Sequence, residues 1–268
     1  TVARLGGDEF LVILEELHAP PHAGVVARKI LEALSEPVRV EQHDIYIGAS
    51  IGISLFPDDG TEADVLIKNA DTAMYRAKEM GRNNYQFYTP ELTRLSLERF
   101  ELERGLHLVL ERGELLLYYQ PQSAVGGGRC VGVEALVRWQ SAERGLVPPD
   151  RFIPLAEETG LIHALGRWVL RTACQQARRW QEEGRPLRIA VNLSGQEIAH
   201  GDIVTTVSEV LADSGLDPRW LELEITESFL LTHAEAGVRT LERLKALGIT
   251  LAIDDFGTGY SSLLYLKR

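Results

Sequence analysis

Four oxygen-bearing side chains stand at matching positions in four short apolar runs of this sequence. They are Glu134 in CVGVEALVRW (130–139), Asn192 in RIAVNLS (188–194), Glu224 in LELEIT (221–226) and Asp254 in TLAID (250–254). Three carboxylates and an amide oxygen form an all-oxygen donor set. Hard cations such as Mg2+ or Mn2+ prefer it, whereas zinc draws more on histidine and cysteine. None of the seven histidines falls in the set.

The elements that must position these residues read as β-strands. At period two, Val131, Val133, Ala135, Val137 and Trp139 form one face of the first run, and Cys130, Gly132, Glu134, Leu136 and Arg138 the other. Ile189, Val191 and Leu193 repeat the apolar face, as do Leu221, Leu223 and Ile225, and then Leu251 and Ile253. A carboxylate inside so apolar a strand is costly to bury without compensation. Four strands present one oxygen group each to a common side, a donor set whose charge bound cations would compensate. A barrel of parallel strands with outer helices produces this convergence, with ligands at the carboxyl ends of the strands. Solvated strand ends are the plainer reading of each residue taken singly. Arg138, four residues after Glu134, shares its face, and a salt bridge to a neighbouring carboxylate is its plainer role.

The remaining chain supplies the frame. Residues 1–14, TVARLGGDEFLVIL, read as two strands around a Gly-Gly turn, with Asp8 and Glu9 at or just after it. From spacing alone an ordinary polar hairpin tip is the favoured reading. A helix is expected over Ala23–Leu34, a long strand over Ile45–Leu55, a turn at Pro57–Gly60, and a helix from Thr61 with Thr61 as its N-cap. Lys78 and Arg82 suit the C-terminal end of a helix capped by Gly81. Thr89–Arg112 reads as one charged helix ending at Gly113, with Thr89 capping and Pro90 in the first turn. Leu115–Gln122 opens a second domain as a strand in which Gln120 and Gln122 share a face. Helices over Pro148–Gly160 and Leu161–Glu183 follow, and strands and helices then alternate to Asp254, the mark of an α/β barrel.

Composition narrows the class. With 268 residues, 45% hydrophobic and 25% charged, the chain is long enough for two globular domains. A net charge of −11 gives no grip on a nucleic acid backbone, so a phosphate-bearing ligand needs cations or local arginines. The two cysteines, Cys130 and Cys174, build neither a disulfide framework nor a zinc site and suit a reducing cytoplasm. No apolar run reaches the roughly 20 residues of a membrane span, and an upstream membrane anchor in a longer parent stays open.

The segments GVEALVRW, FIPLAEETGLI, AVNLS, LELEITES and AIDDFGTGYSSL closely resemble, in order, the motifs of EAL domains, bacterial phosphodiesterases that cleave cyclic di-GMP. The resemblance runs from about residue 98 onward. It implies a metal and catalytic set of Glu134, Asn192, Glu224, Asp254 and Asp255, with Asp255 touching a second Mg2+ or Mn2+. Two cations about 4 Å apart activate a water and stabilise the leaving oxygen of a phosphodiester. It also implies substrate contacts from Gln120, Leu136 and Arg138, and a regulatory loop region formed by Thr226, Glu227 and Gly257–Ser262, with Glu227 steadying the DDFGTG loop. Ahead of it, the GGDEF run (Gly6, Gly7, Asp8, Glu9, Phe10) and ADTAMYRAKEMGRN (70–83) resemble diguanylate cyclases. There the glycines admit nucleotide, Asp8 binds metal, Glu9 assists the attacking hydroxyl, and Lys78 and Arg82 hold phosphates.

The expected architecture is therefore α/β: the C-terminal half of a GGDEF α/β domain (1–88), a connecting helix (89–112) and an incomplete EAL (β/α)8 TIM-like barrel (113–268). The family's first cyclase half would precede Thr1, and its later barrel strands, with a lysine, a glutamate and a glutamine, would follow Arg268. No cyclase activity and weak or absent hydrolysis are thus expected of this stretch by itself. In the parent, the resemblance implies metal-dependent hydrolysis of cyclic di-GMP to linear 5'-pGpG, with GTP at the GGDEF half, a homodimer through the EAL domain, no nucleic acid partner and a cytoplasmic setting. The alternative is a cyclic di-GMP receptor that binds without turnover.

Overall fold

The computed structural model describes residues 1–254 apart from 16, 18, 41, 42, 125, 126, 201, 228 and 230–233. The chain divides into two compact units, with the boundary between Glu101 and Leu102. Among the described residues no helix is long and apolar enough to cross a membrane.

The first unit opens with β1 (Val2–Gly6) and β2 (Glu9–Val12), an antiparallel pair closed by Gly7 and Asp8. The turn is therefore Gly-Asp rather than Gly-Gly, because Gly6 still pairs with Glu9 as the last residue of β1. Gly7 takes φ +52°, where a side chain is strained, and the Arg4 guanidinium donates to its carbonyl at 2.9 and 2.6 Å. Helix α1 (Pro21–Ser35) follows, then the hairpin β3 (Val38–Val40) and β4 (His43–Ile45). The long strand expected over 45–55 is broken. Its start pairs back onto β3, while β5 (Ile51–Ile53) pairs in parallel with β6 (Tyr85–Phe87), so one apolar stretch serves two separate sheets. Helix α2 (Ala63–Glu79) is the crossover between β5 and β6. It starts after Glu62 with no side-chain cap, so Thr61 is not the N-cap. Its backbone lies against β5 so closely that a Cβ on Gly52 would sit 1.8 Å from the Ala70 carbonyl oxygen.

Helix α3 (Pro90–Leu108) is shorter at its C-terminal end than the expected 89–112. The chain turns after Leu108, with Glu114 N–H bonding back to the Val109 carbonyl at 3.1 Å and Gly113 at φ +63°.

The second unit is built on a six-stranded sheet. It contains β7 (Leu115–Ser123), β8 (Cys130–Ser141), β9 (Gly145–Val147), β10 (Arg188–Asn192), β11 (Leu221–Thr226) and β12 (Thr250–Asp254), ordered β12-β11-β10-β8-β7 with β9 beside β8. Helices α4 (Pro149–Thr159), α5 (Ile162–Glu182), α6 (Gly195–His200), α7 (Ile203–Ser214) and α8 (Ala234–Ala246) separate the later strands. Strands β8, β10, β11 and β12 are parallel, the alternation of a TIM-like barrel. Strand β7 departs from the all-parallel expectation and runs antiparallel to β8. Residues 124–129 are too few for the crossover of a dozen or more that a parallel pair needs.

The core lies on the outer face of this sheet. Val133, Ala135, Ile189, Val191, Leu221, Leu223 and Ile225 pack with Leu170, Ala173, Cys174 and Ala177 of α5 and Val207 and Val210 of α7. A second cluster joins Trp139 and Phe152 edge to face, with Leu102 and Leu106 of α3 beneath. Burial pushes the Cys174 thiol up to about 12, which makes it an inert packing group.

Candidate functional site

Strand register decides which side chains meet. Glu134 stands opposite Ala190, Asn192 opposite Glu224, and Thr226 opposite Asp254. Side chains alternate along a strand, so the four share one face: Asn192 and Glu224 stand level, two residues above Glu134, and Asp254 two residues above them. This is the face turned away from the helices. Asn192 Nδ2 donates to Glu134 Oε1 at 2.7 Å, and Gln122 Nε2 donates to Glu224 Oε1 at 3.4 Å. The antiparallel pairing brings Gln120 opposite Glu134 and Tyr118 opposite Leu136, with Leu116 opposite Arg138. Gln120, Glu134, Leu136 and Arg138 therefore belong to the same surface as the acidic set.

Charge is concentrated here. Desolvation pushes the Glu224 carboxyl up to about 7, helped by the charges of Glu134, Asp254 and Glu222 and opposed by the Gln122 hydrogen bond. Glu222, 6% exposed, is answered by Arg188 at 3.0 Å. A hard cation suits this donor set, since it would neutralise charge that the carboxylates only accumulate. Among the described residues, however, no three His, Cys, Asp or Glu side chains close on one point to form a complete cage. Asp255 and Gly257–Ser262 of the expected site lie outside the described residues. Thr226 ends β11, exposed, and Glu227 follows it, buried at 8% exposure.

Arg138 meets neither a carboxylate nor solvent alone. Its Nη1 donates to the Val137 carbonyl at 2.8 Å, and its guanidinium lies 5.6 Å from the centre of the Tyr118 ring. Among the described residues it has no acidic partner, so the salt bridge weighed from sequence does not form there.

Three supporting groups were not singled out from sequence. Gln122 reaches Glu224 through space left by Gly132, where a Cβ would fall 3.1 Å from Gln122 Oε1 and 2.9 Å from the Arg188 carbonyl oxygen. Ser194 and Glu197 form a capping box at α6. Gln196 N–H donates to Ser194 Oγ at 3.2 Å, Ser194 N–H donates to Glu197 Oε2 at 3.0 Å, and Ser194 Oγ also binds Glu157 at 2.5 Å. This ties the end of β10, just past Asn192, to α4. Burial, with the Glu157 charge nearby, pushes the Glu197 carboxyl up to about 7 against the lowering effect of the Ser194 N–H. The S-x-x-E spacing was a readable signal; the Gln122 contact had none.

In the first unit, Gly6, Gly7, Asp8, Glu9 and Phe10 gather at the tip of the β1–β2 hairpin, all exposed. Lys78 lies in the last turn of α2 and Arg82 follows the helix at φ 58°, its N–H bonded to the Ala77 carbonyl at 3.2 Å.

The family model described as "EAL domain" matches residues 101–268, and that described as "Diguanylate cyclase, GGDEF domain" matches residues 1–84. A Pseudomonas aeruginosa protein named bifunctional diguanylate cyclase/cyclic di-GMP phosphodiesterase MucR is 47% identical over 269 residues, covering 100% of this chain and 39% of that protein. The cyclic di-GMP phosphodiesterase PdeR of Escherichia coli is 40% identical over 267 residues, covering 100% of this chain and 40% of PdeR. The chain thus spans about two fifths of these curated relatives. The solved structure named "PaMucR Phosphodiesterase, c-di-GMP complex" superposes with TM-score 0.61 at 48% identity, covering 63% of this chain and 68% of that one. The chain belongs to the EAL domain family and carries a GGDEF segment ahead of its EAL residues.

Proposed function

We propose that the second unit supplies the site of a metal-dependent phosphodiesterase that, in the parent protein, opens cyclic di-GMP to linear 5'-pGpG. One observation carries this reading: strand register places Glu134, Asn192, Glu224 and Asp254 on one face, in a family whose named relatives include cyclic di-GMP phosphodiesterases. Glu134, Glu224, Asp254 and Asn192 Oδ1 would hold Mg2+ or Mn2+, with Asp255 next in sequence. When bound, a pair of such cations supplies an activated water and charge stabilisation at the leaving oxygen.

The protein's own groups prepare the ligand. Asn192 Nδ2 fixes the rotation of the Glu134 carboxylate, and Gln122 does the same for Glu224. Arg138 brings a guanidinium, suited to bidentate contact with a phosphate, to an otherwise acidic face. Gln120 offers an amide and Leu136 an apolar contact on that face. Thr226 and Glu227 stand where β11 leads into the following segment, consistent with the loop-steadying role implied for Glu227.

For the first unit, we assign a GTP-binding or formerly cyclising role to Gly6, Gly7, Asp8, Glu9 and Phe10, with Lys78 and Arg82 as phosphate contacts. The exposed hairpin tip and the basic end of α2 support it. A homodimer through the second unit is carried over from the family resemblance, and two free thiols suit a cytoplasmic setting.

The test is incubation of the parent protein with cyclic di-GMP and Mg2+ or Mn2+, with a chelator control, and chromatography for the linear product. Metal-dependent product is expected, with a loss of more than about 100-fold in Glu134→Ala, since even outer-shell partners of a metal cost roughly 10–100-fold. Tight binding without product would favour the receptor reading, and hydrolysis unchanged by Glu134→Ala would overturn the site.

A further inference from the structure

Tyr118 is a large aromatic side chain left 49% exposed, on the same face as Glu134 and Arg138 rather than against the helices. It is therefore not a core residue. Its partner across the ladder is Leu136, which makes Arg138 its diagonal neighbour, within reach of long side chains. The Arg138 guanidinium lies 5.6 Å from the ring centre, and Nη1 is anchored on the Val137 carbonyl. A guanidinium carries five N–H donors, so this seat and anchor leave most of them for a ligand.

We propose that Tyr118 is a positioning residue whose ring seats the Arg138 guanidinium, so that a phosphodiester ligand meets an arginine already held in place. This rests on the phosphodiesterase reading above. The physical reason is preorganisation: an unrestrained arginine loses side-chain entropy when it binds, and a ring beneath the guanidinium removes part of that loss beforehand. The seat needs an aromatic face but not the hydroxyl. Phenylalanine should replace tyrosine, and leucine should not.

The experiment compares Tyr118→Phe and Tyr118→Leu in the parent protein, using cyclic di-GMP with Mn2+, and follows, without ligand, the NMR shift of the Arg138 Nε proton in the 268-residue chain. In Tyr118→Leu, KM or Kd is expected to rise about three- to tenfold, with kcat and Tm nearly unchanged and the Nε resonance moved. Tyr118→Phe should restore all of these. A leucine variant with wild-type affinity and an unmoved resonance overturns the inference while leaving the phosphodiesterase reading intact. Equal losses in Tyr118→Phe and Tyr118→Leu also overturn it, since they assign the effect to the hydroxyl. Wild-type protein that neither binds nor cleaves the dinucleotide removes the phosphodiesterase reading, and the role proposed for Tyr118 with it.

Discussion

The two units present acidic motifs on very different foundations. In the first, Asp8 and Glu9 ride on a two-stranded hairpin, and the buried apolar residues described are Ala23, Ala27, Ala73 and Ala77. In the second, Glu134 and Glu224 stand on a six-stranded sheet backed by Trp139, Phe152, Leu170, Ile189 and Leu223. The difference is one of support. A hairpin holds its tip by local turn chemistry, while a packed sheet fixes the relative positions of residues far apart in sequence and desolvates them enough to shift a carboxyl, as at Glu224.

Mutations should separate these foundations. Phe152→Ala removes a fully buried ring and should destabilise the second unit by about 3–5 kcal/mol. Phe10→Ala, at a residue 63% exposed, should fall within about 0.5 kcal/mol. Denaturant unfolding followed separately in each unit checks both, and a large Phe10 effect would break the contrast. Gly52→Ala forces a methyl onto the α2 backbone and should cost the first unit about 1–3 kcal/mol, showing that this tight helix–strand contact matters more than the unit's exposed apolar side chains.

The pH dependence sharpens the comparison. The folded Glu197 carboxyl titrates near 7, above its ordinary value of 4.5, so between these pH values the folded state holds a proton that the unfolded chain has released. Its contribution to stability therefore falls as pH rises through that window and levels off above it. Glu197→Gln keeps the capping-box geometry and should flatten this part of the Tm profile between pH 5 and 7.5. An unchanged slope would mean that Glu197 is not the group responsible. A modest effect is expected at the hairpin turn, where Gly7→Ala at φ +52° should cost about 1 kcal/mol by calorimetry and leave the second unit untouched.

Local signals carried far in this chain. Alternation marked β8, β10, β11 and β12, and the helices α4 and α5 begin and end within a residue of their expected bounds, because their apolar stripes and the glycine after α4 are local features. The long apolar stretch 45–55 misled, since composition does not say that its two ends pair with different strands.

By itself the sequence determined the two families, the α/β class, and the parity that puts Glu134, Asn192, Glu224 and Asp254 on one face, since parity follows from a period of two within each strand. Tertiary structure alone decided the antiparallel course of β7, the Gln122–Glu224 and Glu157–Ser194 contacts, and the Tyr118 ring beneath Arg138. These depend on the register between strands and on gaps such as that at Gly132, which arise when distant segments pack and leave no trace in local spacing.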